Sequence, residues 1–155
     1  HMRREKAGRI INISSMGGKI YTPLGAWYHA TKHAVEGLSD CLRLELAPFG
    51  VDVVVIEPGV ILTEFGNVVE GPLMTYSGKG PYAPLAARVS RATANAYKSG
   101  GGSPPQRVAD AISRAVKARR PKTRYVVGKY AKPMIAIRKW LGDRAFDAVV
   151  MSTVR

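Results

Sequence analysis

The sequence predicts an α/β fold: a doubly wound parallel sheet of about three strands joined by crossover helices. Two observations predict it. The β-branched run Arg9-Ile10-Ile11-Asn12-Ile13-Ser14 is followed by a helical pattern of about twenty residues, then by the nearly unbroken apolar run Val51-Asp52-Val53-Val54-Val55-Ile56. A strand apolar on both faces suits the interior of a parallel sheet, and parallel neighbours need a crossover helix between them. The same order then recurs, because a helix pattern after Ser103 leads into Tyr125-Val126-Val127.

Residues 9–14 form the first strand of this reading, and Ser14-Ser15-Met16-Gly17-Gly18 forms the turn after it. Pro23 delays the start of the next helix. From about Trp27 to Ala47, Val35, Leu38, Leu42 and Leu46 recur at steps of three and four, so they are assigned to the core-facing stripe. Pro48-Phe49-Gly50 ends that helix. A long excursion, residues 64–102, separates the second strand from the next helix. Ser103-Pro104-Pro105-Gln106 has the pattern of a helix start, with Ser103 as cap and Gln106 returning the bond. Val108, Ile112, Ala115 and Val116 are its expected buried stripe, and Met134 to Leu141 reads as a basic amphipathic helix. The expected organisation is one partial domain over residues 3–155, with His1-Met2 a tag remnant.

With 155 residues and 46% apolar content, the chain is long and apolar enough for a real core. No apolar run reaches the roughly 18 residues that a membrane-spanning helix needs, and no signal peptide is read at the start. The single cysteine, Cys41, cannot form an intrachain disulfide and is assigned to helix packing. These features lead us to expect a cytoplasmic protein, with peripheral membrane contact through residues 134–141 an open alternative. The net charge of +13 would attract nucleic acid, anionic lipid or a phosphorylated cofactor. Much of it lies in Arg119-Arg120-Pro121-Lys122-Thr123-Arg124 and the residues after, which we read as a solvated face rather than a nucleic-acid site.

The informative constellation is Ser15, Tyr28 and Lys32. Tyr28 and Lys32 are four apart, so they project from one face of the long helix. A phenol with its ordinary pKa near ~10 is a poor base at neutral pH, and a nearby ammonium favours the phenolate. Ser15 ends the preceding strand, where its hydroxyl can bond a substrate oxygen. Such a set can protonate a carbonyl oxygen as hydride reaches the carbon, or run the reverse.

The run from Gly8 to Thr63 resembles the short-chain dehydrogenase/reductase family. The likeness rests on Tyr28-His29-Ala30-Thr31-Lys32, on the upstream Ser15, and on Pro58-Gly59-Val60-Ile61-Leu62-Thr63 after the second strand. It implies a Rossmann-like sheet and an oxidoreductase that exchanges hydride between NADP or NAD and a carbonyl or alcohol. By the same likeness, Tyr28 is the proton donor or acceptor, and Ser15 orients the substrate. Lys32 supports the phenolate and holds ribose hydroxyls. Pro58, Gly59, Ile61 and Thr63 line the nicotinamide end. Residues 3–63 then carry the reaction centre and nicotinamide loop, 64–102 the substrate lid, and 103–155 the closing helix, strand and basic helix. Phe65, Leu73, Met74, Tyr76, Tyr82, Leu85 and Val89 give the lid a lipophilic lining or serve its own packing.

The likeness covers the carboxy-terminal half of the family's pattern. No glycine-rich strand–turn–helix for the pyrophosphate occurs in it, so weak or absent activity of the isolated chain is expected, and a non-catalytic association module is the alternative. NADP and NAD are not distinguished. Metal is not expected: His29 and His33 share a face, but Ala30 stands where a zinc hydrolase helix would need Glu. The first strand would show Ile10, Ile11 and Ile13 at an open edge, which favours a homo-oligomer.

Overall fold

In the computed structural model, which describes residues 1–98 and 100–154, three parallel strands pair in the order β1-β2-β3. The elements run α1 (Met2–Glu5), β1 (Gly8–Ile13), a 3₁₀ turn (Met16–Gly18), α2 (Ala26–Leu46), a second 3₁₀ turn (Ala47–Phe49) and β2 (Val51–Pro58). Then come α3 (Phe65–Ser77), α4 (Ala83–Tyr97), α5 (Gln106–Lys117), β3 (Arg124–Val127) and α6 (Ala131–Thr153). The fold is the expected Rossmann-like α/β arrangement.

β2 is central, and Val51 and Val53–Glu57 are buried in it. Side chains alternate across a strand, so the sheet has two different faces. One packs apolar residues against α5: Val54, Ile56, Ala111 and Ala115 are fully buried there, with Ile11, Val108, Ile112, Tyr125 and Val127 around them. At this edge the Arg9 guanidinium is bonded to Asp52 Oδ2 at 2.6 and 3.1 Å. It also donates to the carbonyls of Ala115, Val116 and Ala118. A cation on the last carbonyls of α5 is the favourable end of the helix dipole.

The opposite face, toward α2, sets polar groups beside the buried Val53 and Val55. Asn12, Val55 and Arg124 lie in one row across the three strands. Asn12 donates to Ser39 Oγ at 2.9 Å, and Arg124 reaches Glu36 and Asp40. The stripe assigned to α2 is therefore corrected at Leu38, while Val35, Leu42 and Leu46 are half-buried. Its buried residues are His29, Glu36 and Ser39, whereas Leu38 is 57% exposed. Hydrophobic periodicity assumes an apolar partner, and here the partner surface is hydrogen-bonding.

Other expectations are corrected as well. Ser103 caps no helix: its backbone bonds to Val60 and Leu62, extending the loop after β2, and α5 starts at Gln106 without a side-chain cap. Gln106 donates forward to Asp110. Val116 is exposed, and Ala111 takes the place assigned to it in the buried stripe. Cys41 is exposed, not packed. The basic helix is longer than residues 134–141, continuing past a break at Gly142 to Thr153. Met134, Ile135 and Ile137 pack on a second cluster of Ile20, Phe146 and Val150, while Trp140 and Leu141 stay exposed. The excursion after β2 is a pair of helices, α3 and α4. Among the described residues, no helix is long and apolar enough to cross a membrane.

Candidate active site

β1 and β2 end side by side, and the turn after β1 meets the start of the loop after β2. Ser15, extended in backbone, accepts the Gly17 N–H at 3.0 Å. Its hydroxyl lies 3.4 Å from the Pro58 carbonyl. Tyr28 enters in the first turn of α2 and lays its ring over this turn: a Cβ added to Gly17 would stand 2.8 Å from Tyr28 Cε1. Only glycine fits there without pushing the ring away. Lys32, one helical turn on, donates to the Ile13 carbonyl at 3.3 Å, at the end of β1. Ser15, Tyr28 and Lys32 thus converge on the carboxyl end of β1, beside Pro58.

His29 fixes the distance between turn and helix. Its Nε2 accepts the Thr22 N–H at 3.0 Å, so Nδ1 carries the proton and donates to Gly17 O at 2.8 Å. Burial lowers the His29 pKa below its ordinary value, outweighing the Gly17 bond that would raise it. The neutral ring's stabilisation is present above ~6.5 and is lost as pH falls through the lower folded value. His29→Ala is expected to destabilise the chain by about 1 to 3 kcal/mol by stranding two backbone groups. Denaturant melts at pH 7.5 check this.

The rest of the expected nicotinamide loop is placed less closely. Gly59 donates to the Val127 carbonyl at 2.8 Å, and a side chain there would collide with the Lys129 carbonyl. Ile61 bridges to Ser103. Thr63 is exposed, and its hydroxyl accepts the Phe65 N–H at 3.3 Å. Neither Ile61 nor Thr63 bonds to Ser15, Tyr28 or Lys32.

A match to the family described as short chain dehydrogenase spans residues 1–71, which hold all of these positions. An uncharacterised oxidoreductase of Schizosaccharomyces pombe is 37% identical over 151 residues, covering 94% of this chain and 59% of that protein. The chain belongs to the short-chain dehydrogenase/reductase family. An NADPH-dependent 3-dehydrocapnine reductase of Ornithobacterium rhinotracheale is 35% identical over 142 residues, covering 92% of this chain and 49% of that protein. The crystal structure of a short-chain dehydrogenase from Streptomyces avermitilis superposes with a TM-score of 0.66 at 27% identity, over 97% of this chain and 51% of that one. The chain thus spans about half the length of such relatives.

Two aromatic groups extend the surroundings of Tyr28. Phe65 packs on the Tyr28 ring at 5.6 Å between centroids, and Tyr97 on Phe65 at 6.4 Å. Burial, then the neighbouring Tyr28, raises the Tyr97 pKa. Sequence reading found Phe65 but missed Tyr97, the last residue of α4. The α3–α4 pair that brings Tyr97 there has no motif to announce it. Of the other lid residues, Tyr76 and Tyr82 are 85% and 61% exposed, while Leu73 lines a cavity of about 270 Å³ between α3 and α4 with Tyr97.

Behind the site lies a buried charged cluster that sequence reading also missed. Arg124 donates to Glu36 Oε2 at 3.0 and 3.1 Å and to Asp40 at 2.8 Å, and its Nε lies 3.1 Å from Glu57 Oε1. Lys19 pairs with Glu36 at 3.0 Å. Burial and then the Glu36 charge push the Glu57 pKa up to about 7, against the opposing pull of Lys19 and Arg124. Burial works the same way on Glu36, but Ser14, Lys19 and Arg124 outweigh it and hold its pKa below the ordinary value.

Proposed function

We propose that this chain carries the reaction centre of a nicotinamide-dependent oxidoreductase that interconverts a carbonyl and an alcohol. One observation carries the proposal: the Tyr28 ring lies on the turn that presents the Ser15 hydroxyl, with Lys32 a helical turn away. A phenol, a hydroxyl and an ammonium at the end of parallel strands are what carbonyl protonation requires, and open α/β sheets bind ligands at that end.

Tyr28 gives its phenolic proton to the substrate oxygen during reduction and takes it back during oxidation. Ser15 donates a hydrogen bond to the same oxygen and fixes its position. The donor set suits a nicotinamide nucleoside, because the Lys32 ammonium spends a single bond on Ile13 and is only half-buried. Tyr28, Lys32, Pro58, Gly59, Ile61 and Thr63 are the residues that would hold it, as NADP or NAD. When bound, the nicotinamide supplies or accepts the hydride. Phe65 and Tyr97 give the lid side, 64–102, an aromatic wall beside the Tyr28 ring, which favours a substrate with a lipophilic body. The NADPH dependence of the Ornithobacterium relative supports the cofactor class.

The test is isotope transfer. The chain is co-expressed with the glycine-rich half of a homologous short-chain dehydrogenase and given an aromatic or long-chain ketone with NADPH and NADH deuterated at nicotinamide C4. Deuterium in the alcohol carbon supports the reading; its absence with both nucleotides overturns it. The 155-residue chain alone is expected to bind either nucleotide weakly, lacking a glycine-rich pyrophosphate turn among its described residues. We also propose self-association of the chain through the β1 side. Ile13 is 45% exposed there, and Trp27 and Leu38 of α2 are exposed too. Light scattering at micromolar concentration should give more than the monomer mass, and a strict monomer refutes it.

A further inference from the structure

We infer that Arg124 is a positioning residue for the proposed reaction centre: clamped by Glu36, Asp40 and Glu57, it locks the helix carrying Tyr28 and Lys32 to the strand ends carrying Ser15 and Pro58, and the proton on the Glu57–Glu36 pair sets how tightly. This inference rests on the functional reading above but is tested without it.

The geometry ties two segments to one guanidinium, and a third packs against them. Glu36 sits one helical turn beyond Lys32, so its bond to Arg124 holds the stretch of α2 that carries the ammonium. Glu57 immediately precedes Pro58, whose carbonyl meets the Ser15 hydroxyl. Ser14 immediately precedes Ser15 and packs with Glu36 and the Lys32 carbonyl around Gly18, where an added Cβ would lie 2.8 to 2.9 Å from all three. Nothing at that junction has spare room.

The cluster is also short of donors: Glu36 Oε1 and Glu57 Oε1 are buried without a hydrogen-bond partner among the described residues. Burying such acceptors is costly, and a second ionised carboxylate beside the first costs more. The charged groups around Glu57 are Glu36 from α2, Lys19 from the turn before it and Arg124 from β3, with Asp40 and Arg43 of α2 on the far side of Arg124. Asp40 is shared between Arg124 and Arg43, so the charges balance with Glu57 ionised, but two carboxylates then lie buried side by side, Glu57 2% and Glu36 4% exposed. With Glu57 protonated that repulsion is removed, and its carboxyl O–H can donate to Glu36. Raising the pH through neutrality therefore loosens the clamp.

The test uses the full 155-residue chain, without cofactor or substrate. Side-chain carboxyl carbons and backbone amides are followed by NMR from pH 5 to 9 in the wild type, Glu57→Gln and Arg124→Lys. One buried glutamate should titrate near neutral pH in the wild type, and the amides of Ser15, Gly17 and Lys32 should shift with the same midpoint. In Glu57→Gln those amides should stay flat across that range; in Arg124→Lys, which keeps the charge but not the forked bonds, the midpoint should move. If every glutamate titrates in the ordinary range, or if the three amides ignore the buried carboxyl or titrate unchanged in Glu57→Gln, the inference fails. Should the variants not fold, the wild-type titration alone decides. None of these outcomes depends on deuterium transfer, so the clamp can fail while the oxidoreductase reading stands.

Discussion

Replacing Tyr28 by Phe is expected to slow carbonyl reduction by the co-expressed enzyme by about 10²- to 10⁴-fold while leaving its stability nearly unchanged. The substitution removes one oxygen and keeps the ring, which makes the packing contacts with Gly17, His29 and Phe65. None of the hydrogen bonds that hold the Ser15 turn involves the phenolic oxygen. Loss of rate without loss of fold thus isolates the proton donor. The loss should fall on kcat more than on KM, because the proton moves in the transition state. Ser15→Ala is a weaker discriminator, since it also strands the Gly17 N–H.

Arg124→Met is expected to remove about 3 to 5 kcal/mol of folding free energy, a large share of the ~5 to 15 kcal/mol that a domain has in total. The methionine side chain fills part of the space but leaves Glu36 and Glu57 buried with only Lys19 to offset them. Denaturant midpoints measure the loss directly. The pH dependence gives the sign. Glu57 is raised in the folded chain to about 7 from an ordinary 4.5. Its neutral form therefore supports the fold fully below ~4.5, and that support is lost as pH rises through about 7. At about 1.4 kcal/mol per pH unit, complete ionisation costs on the order of 3 kcal/mol. Glu36 acts oppositely: held below its ordinary value, it contributes above that value and is lost as pH falls through the lower one. The Glu57 contribution should therefore fall between about pH 4.5 and 7 and stay flat above that, and Glu57→Gln should lack this decline.

How much of this was legible in the sequence follows from which interactions are local. β1, α2, β2 and β3 were readable because runs of β-branched residues and a twenty-residue periodicity ended by Pro48-Phe49-Gly50 are near-neighbour signals. Ser15, Tyr28 and Lys32 were readable for the same reason, lying within one strand–turn–helix. The face that α2 buries was not. Choosing Leu38 over Glu36 and Ser39 followed the rule that apolar stripes face inward, and that rule fails when the facing sheet offers Asn12, Glu57 and Arg124. Asn12 and Arg124 lie 27 and 88 residues from their partners Ser39 and Glu36, beyond the reach of any local pattern. Tyr97 was hidden similarly, because α3 and α4 must pack together before its ring can approach Phe65. Ser103 misled for a different reason. Its spacing to Gln106 fits a capping box, but the backbone pairing with Val60 and Leu62 holds it in the loop instead.

The proposed binding of one substrate oxygen by Ser15 and Tyr28, with Lys32 on the cofactor ribose, is tested most directly by a crystal structure of the co-expressed enzyme with oxidised nicotinamide cofactor and a secondary alcohol. The alcohol oxygen should lie within hydrogen-bond distance of both Tyr28 Oη and Ser15 Oγ, with Lys32 Nζ on the ribose. An alcohol oxygen bound away from the Tyr28 phenol, or a nicotinamide seated elsewhere than the Pro58–Thr63 loop, would contradict the account.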